Sequence, residues 1–284
     1  MSSRIVKCDG FVLRNLRYGD TSRVATVFTR ELGKISVIGK GVRVPKSPFG
    51  ASLELFCRSD YVVYYRVGRN IQMLKSGDVN LEYVGLLRSA RRYVFGCAVL
   101  EFLDRMLLED EPIDGLFSLT CRALLHLEEM PGSRLSEVFR AYQLRTAAML
   151  GYSPMLDECL HCGHSLLEAI STAPDPAREI WSFLIAEGGA VCPRCRGGSE
   201  GAVRLTARAL WRMRSMAQGN RRRPEENGSG TDREPQASAP NDAWVRTLEF
   251  IVEEFLQYHV ERYRGLRSLR SSIGFADPAA TSRA

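Results

Sequence analysis

Val24-Ala25-Thr26-Val27-Phe28-Thr29-Arg30-Glu31-Leu32-Gly33-Lys34-Ile35-Ser36-Val37-Ile38 decides the fold class. Two short β-branched runs, 24–28 and 35–38, flank a polar connection whose glycine marks a turn, so the stretch predicts a hairpin. Upstream, Ile5-Val6 through Phe11-Val12-Leu13 predicts another strand, ended by Tyr18-Gly19-Asp20. Downstream, Leu53-Glu54-Leu55-Phe56 and Asp60-Tyr61-Val62-Val63-Tyr64-Tyr65 predict two more. About five short strands without helical period in residues 1–80 point to a small closed barrel, an OB-type barrel ahead of an SH3-like one.

Beyond residue 80 the period changes. Leu81 to Leu108 places Leu86, Leu87, Ala90, Tyr93, Val94, Cys97, Leu100, Leu103, Met106 and Leu107 at helical spacing, with Glu101 at the edge of the stripe. Pro112 is expected to open a second helix running to Glu129, and Pro131-Gly132-Ser133 to precede a third, Leu135 to Leu150. Residues 157–200 read as an insert of short strands and turns, and 201–218 as helical again. The 219–241 stretch has no apolar residue larger than Ala and reads as a disordered loop. A final helix, capped by Asp242, runs from Ala243 to Tyr263 and is expected to pack on the earlier three, with a frayed tail after Gly274. The fold class is α+β and multidomain: an OB barrel (1–80), a helical domain (81–156, 201–218, 242–284) and an inserted cysteine module (157–200).

That module holds Cys159-Leu160-His161-Cys162-Gly163 and Cys192-Pro193-Arg194-Cys195. Two residues between cysteines let both thiolates turn toward one ion, and two such pairs close a tetrahedral zinc shell with no position left for water. Cys159, Cys162, Cys192 and Cys195 are therefore expected to hold a structural Zn2+. Trp181 to Leu184 and Glu187 to Ala190 are expected to form a hairpin between the pairs. A deaminase reading, His126-Leu127-Glu128 ahead of Cys159-x-x-Cys162, lacks the proline before the cysteine and would orphan the second pair. Cys8, Cys57, Cys97 and Cys121 have no ligand spacing and read as small apolar residues.

The composition, 45% hydrophobic and 25% charged over 284 residues, is that of a globular protein. No run approaches the roughly 18 apolar residues of a spanning helix. The first ten residues have no apolar h-region, so a cytoplasmic protein without membrane attachment is expected. Residues 1–80 carry fourteen Lys+Arg against six Asp+Glu, so the positive excess of the chain lies in its first quarter. Arg14, Arg17, Arg23, Arg30, Lys34, Lys40, Arg43 and Lys46 crowd one stretch, with Tyr18 and Phe28 between them and Phe49 next to it. Cations on a barrel that follow a phosphate backbone, with exposed aromatics stacking on bases, make a nucleic-acid groove. No Walker-type phosphate loop and no nucleophile elbow is present, so the reading is of a protein that is not an enzyme and needs no ATP.

Arg17-Tyr18-Gly19-Asp20-Thr21-Ser22-Arg23, Phe28 through Val37, Gly39-Lys40-Gly41-Val42-Arg43 with Lys46-Ser47, Leu53 to Phe56, Tyr142-Gln143-Leu144-Arg145, Leu150-Gly151-Tyr152-Ser153-Pro154 and the paired cysteines together resemble the RecO family of bacterial recombination mediators. The resemblance implies an OB-fold followed by a helical domain with a zinc module. It implies DNA repair and homologous recombination through the RecF pathway: binding of single- and double-stranded DNA, annealing of complementary strands, and loading of RecA onto strands coated by single-strand-binding protein. Implied partners are RecR, the tail of single-strand-binding protein and, in some bacteria, RecF, at the nucleoid. By position, Arg23, Arg30, Lys34, Lys40, Arg43 and Lys46 would contact DNA, and Arg91 and Arg92 would rim a site for the acidic tail. The 219–241 loop, with Arg221-Arg222-Arg223, departs from the family pattern. The alternative reading from another class is a zinc-containing OB-fold RNA-binding factor.

Overall fold

The computed structural model describes residues 3–44, 46, 47, 49, 51–172, 175, 176, 178–195, 201–219 and 242–270. Apart from Gly219, the expected 219–241 loop lies outside the described residues, as does the tail after Gly274. The chain forms two compact units, one built from residues up to Leu135 together with the segment from Leu266, the other from Ser136–Gly265. The division between these units falls inside the helical region.

In the first unit five strands, β1 (Arg4–Tyr18), β2 (Ser22–Thr29), β3 (Gly33–Gly39), β4 (Cys57–Tyr65) and β5 (Gln72–Glu82), close into a barrel in the order β1-β2-β3-β5-β4. Only β3 and β5 run parallel; the other pairs are antiparallel. This is the five-stranded OB arrangement. Alternation sorts the side chains: Ala25, Val27, Ile35 and Val37 point into a core shared with Cys8, Val12, Tyr61, Val63 and Leu74. The residues between them, Val24 opposite Ile38, Thr26 opposite Ser36 and Phe28 opposite Lys34, form the outer face of the β2–β3 pair.

Leu53 to Phe56 is not a strand. Phe56 has a left-handed backbone (φ 65), and Leu53 is fully buried with Phe49 in the barrel core. Its carbonyl accepts from Asn15 Nδ2 (2.7 Å) and Arg23 Nη1 (3.1 Å). With the Leu53 carbonyl taken by side chains and the Phe56 carbonyl by Tyr83 N (2.9 Å), the segment plugs the barrel instead of joining its ladder. The fifth strand is β5 instead.

Ser89 caps α1 (Ala90–Met106), its hydroxyl accepting from Arg92 N (3.2 Å), after a short 3-10 turn at Val84–Arg88. The second helix, α2, spans Leu116–Glu129 and so starts later than Pro112. The reason is a strap: Glu109 bridges Lys34 in parallel, and Asp110 N donates to Lys34 O (2.9 Å). Extended pairing with β3 forbids helix until Gly115 (φ 77) turns the chain. Gly33 (φ 66) lies under this strap, where a Cβ would collide with the Glu111 carbonyl.

The second unit holds α3 (Leu135–Met149), α4 (Leu166–Thr172), a sheet of β6 (Ile180–Leu184), β7 (Gly189–Val191) and β8 (Val203–Thr206) in the order β7-β6-β8, then α5 (Ala207–Gln218) and α6 (Asp242–His259). The last long helix thus shares its unit with α3, while α1 and α2 belong to the barrel's unit. Arg140 of α3 is buried, with Glu249 and Glu253 of α6 at 3.9 and 3.7 Å. Its Nη1 also donates to Gln143 Oε1 (2.6 Å). Arg145 Nε donates to Met216 O (2.8 Å) at the end of α5. The Tyr142–Arg145 motif therefore works as helix-to-helix fastening. A short α7 (Arg267–Arg270) returns to the first unit.

Candidate nucleic-acid interface and four-cysteine centre

The barrel divides the eight expected DNA contacts into two groups. Lys34 is 9% exposed; its Nζ donates to Asp104 O (2.7 Å) and lies 3.6 Å from the Asp104 carboxylate. Burial pulls the Lys34 pKa below its ordinary value, against the opposing pull of Asp104. Arg14 pairs through Nε with the same carboxylate (2.9 Å). Arg30 reaches Asp9 (3.2 Å), which Arg58 also binds, and both guanidiniums lie over the Phe117 ring at 4.8 and 5.5 Å. Arg23 is tied to Glu54 (2.6 Å) and Leu53 O. The lower part of the outer β2–β3 face is thus occupied by Asp104 of α1 and Phe117 of α2.

Arg17, Lys40, Arg43 and Lys46 are exposed, and none pairs with a carboxylate among the described residues. Register brings them to one end of the barrel: Arg17 is opposite Arg23, Arg23 opposite Gly39, and Lys40 follows. Arg43 N donates to Thr21 O (3.1 Å) and its Nη1 to Asp20 O (3.2 Å), which seats the segment after β3 on the β1–β2 turn. Tyr18, the last residue of β1 before that turn, stands 61% exposed, whereas Phe28 and Phe49 are core.

Two further exposed cations lie outside the eight expected contacts. Arg66 and Arg69 sit in the β4–β5 connection. Gln72 at its end registers with Val37 of β3, so this connection emerges on the β5 side of β3, while the β1–β2 turn lies on the β2 side. The two loops flank the β2–β3 pair. Tyr65-Arg66-Val67-Gly68-Arg69-Asn70, a glycine-bearing turn with arginines between two strands, was the available signal.

The cysteine module is built by two tight turns brought together by the β6–β7 hairpin. Cys159 N donates to His164 O and Gly163 N to Cys159 O, both 2.9 Å, with Gly163 at φ 68. Cys195 N donates to Cys192 O (3.0 Å), and Leu160 N to Ala190 O (2.9 Å) joins the first turn to β7. The four sulfurs lie within 4.8 Å of one another. Burial by itself would raise the Cys159 pKa, but backbone N–H groups of Cys192, Cys162 and His161 bring it down to about 6. Hydrogen bonding to Cys162, then burial and the other thiols, pushes Cys195 up to about 12. Four thiols this close ionise together only around a cation, and an all-sulfur tetrahedral set fits zinc. His161 faces Glu187 (3.2 Å) and His164 stacks on Trp181 (centroids 6.2 Å), so both have partners of their own. Gly197 and Gly198, after the second pair, lie outside the described residues.

Among the described residues no helix is long and apolar enough to cross a membrane. Two family models match the chain: the recombination protein O N-terminal model over residues 1–81 and the recombination protein O C-terminal model over 87–270. The chain is similar to the DNA repair protein RecO of Thermobifida fusca (strain YX), with 34% identity over 266 residues covering 92% of this chain and 96% of the relative. It is 32% identical to the DNA repair protein RecO of Streptomyces griseus over 271 residues, with the same coverage. Against the DNA repair protein RecO of Alkaliphilus metalliredigens it is 29% identical over 201 residues, covering 71% of this chain and 76% of the relative.

Proposed function

This chain belongs to the RecO family of DNA repair and recombination proteins, and on that premise we propose that its barrel binds DNA through Arg17, Lys40, Arg43 and Lys46, with Arg66 and Arg69 on the opposite flank. Arg14, Arg23, Arg30 and Lys34 serve the scaffold in this reading. The observation that carries it is the group of exposed cations, without carboxylate partners among the described residues, on both sides of the β2–β3 pair. Such cations neutralise phosphates and release counterions without reading sequence. Tyr18 offers a ring on which a base can stack.

The protein works without catalysing a bond change or consuming ATP. Two complementary strands repel each other, and a cationic surface that screens both raises their encounter rate. Annealing and assistance to RecA loading on strands coated by single-strand-binding protein follow, with RecR and, in some bacteria, RecF as partners, at the nucleoid. Of the two arginines assigned to the acidic tail, Arg91 is exposed, while Arg92 Nη1 donates to the Leu127 and Glu128 carbonyls; Arg91 is the better contact. Cys159, Cys162, Cys192 and Cys195 hold a structural zinc, which keeps a core-poor segment folded.

The test is annealing of two complementary oligonucleotides, one coated with cognate single-strand-binding protein, without nucleotide. Acceleration that is lost in the Lys40→Glu/Arg43→Glu/Lys46→Glu variant supports the reading. No acceleration by the unmodified protein, together with tight RNA binding, overturns it in favour of an RNA-binding factor.

A further inference from the structure

The β4–β5 connection is held in an unusual way. Val67 is 67% exposed and Ile71 40%, so its apolar side chains do not anchor it. Gly68 adopts φ 75 with nothing within 4 Å of where a Cβ would be. Its anchor is one side-chain amide. Gln72, 2% exposed, accepts from Arg66 N at Oε1 (2.9 Å), and its Nε2 donates to Arg66 O (3.0 Å) and Arg69 O (2.8 Å). Both bonded residues are the loop's arginines, and the amide is fixed in the barrel by the pairing of Gln72 with Val37 of β3.

We propose that Gln72 is a positioning residue of the DNA interface: its amide preorganises the β4–β5 connection so that the Arg66 and Arg69 guanidiniums are presented together to a phosphate backbone. The inference rests on the reading of the barrel as the DNA-binding unit. A free six-residue connection would lose ordering entropy on binding, at a cost that falls directly on affinity. A buried amide that already satisfies three backbone groups removes that cost before DNA arrives. The apolar Val67 and Ile71 stay outside, available to the sugar and base faces of the same strand.

The experiment uses the full chain, a 30-residue oligothymidylate and fluorescence anisotropy over a salt series. Arg66→Ala/Arg69→Ala is expected to lower the slope of log K against log salt by about 1.4, two contacts at about 0.7 each, and the affinity about tenfold at 0.1 M salt. Gln72→Met, uncharged and of equal length, is expected to give the same loss, and the triple variant no further loss. Trypsin is expected to cut after Arg66 and Arg69 faster in Gln72→Met than in the parent. Additive losses in the triple variant, or an unchanged slope in Gln72→Met, overturn the proposal. Should Gln72→Met fail to fold, Gln72→Glu, which keeps the acceptor for Arg66 N and removes both donors, is read the same way. An unchanged slope in Arg66→Ala/Arg69→Ala alongside a reduced one in Lys40→Glu/Arg43→Glu overturns this proposal and leaves the barrel reading standing. An unchanged slope in both overturns the barrel reading as well.

Discussion

Lys34 Nζ donates to the backbone carbonyl of Asp104 at 2.7 Å, and the same residue's carboxylate takes Arg14 at 2.9 Å. Two of the most prominent cations of the basic segment are thereby committed to α1. Lys34→Glu would put a carboxylate beside Asp104 and Glu109 in a nearly closed site. We expect it to lower stability by about 3 kcal/mol or more, as for a broken buried pair, with Lys34→Met costing less. Lys40→Glu, on an exposed loop, should leave the melting temperature almost unchanged and reduce the salt slope for single-stranded DNA. Thermal melts and anisotropy on the three variants check this separation; equal melting temperatures for Lys34→Glu and Lys40→Glu would sink it.

Gly33 is where the Glu109–Asp110–Glu111 strap meets β3. Its φ of 66 favours glycine, and a Cβ would strike the Glu111 carbonyl. Gly33→Ala meets both penalties at once, a left-handed alanine and a backbone collision, so we expect a loss of about 2–4 kcal/mol. Urea denaturation provides the measurement. Gly19, also at positive φ (58) but with open space around it, serves as the control and should cost about 1 kcal/mol on the same change.

Glu101 clasps the start of α7. Its two oxygens accept from Arg267 N and Ser268 N, both 2.9 Å, and from Ser268 Oγ at 2.7 Å, with Arg105 alongside. Burial opposes ionisation, but these donors prevail and hold its pKa below the ordinary carboxylate value. A carboxylate depressed on folding stabilises above its unfolded pKa, and that stabilisation is lost as pH falls through the folded value. Glu101→Gln should therefore cost about 1–2 kcal/mol at pH 7. The gap to the parent should close below about pH 4. Melting curves from pH 3 to 7 give the answer; a gap independent of pH would exclude the charge as its cause.

The barrel was legible where local pattern and burial agree. Val24 to Ile38 alternates a buried and an outer side, and the observed β2–β3 register keeps that alternation. Leu53-Glu54-Leu55-Phe56 alternates just as well, yet it plugs the barrel, because Asn15 and Arg23 from β1 and β2 claim its backbone. β5 escaped notice because Gln72-Met73-Leu74-Lys75-Ser76 has no β-branched residue; its place is fixed by long-range pairing with β3 and β4. Cysteine spacing located the four-sulfur cluster, since two residues between ligands is a local constraint. Charge density located the basic segment but not its free members. Whether Lys34 or Lys40 is available depends on Asp104, seventy residues from Lys34, and that information exists only in the folded chain.

The four-cysteine centre yields the remaining prediction. Trp181 is fully buried and stacked on His164, two residues past Cys162, so in a Trp211→Phe/Trp244→Phe background the emission reports on the module. We expect one zinc per chain, released by a thiol-modifying reagent and counted with a colorimetric chelator. Its loss should shift tryptophan emission to the red as the module opens, because the metal–sulfur bonds that tie the two cysteine turns together are gone. Cys162→Ser, which removes one ligand, should lower zinc occupancy and give the same red shift. The salt slope for single-stranded DNA should hold, since the proposed contacts lie on the barrel. A zinc-free preparation with unshifted tryptophan emission would show that the sulfurs need no ion to stay together.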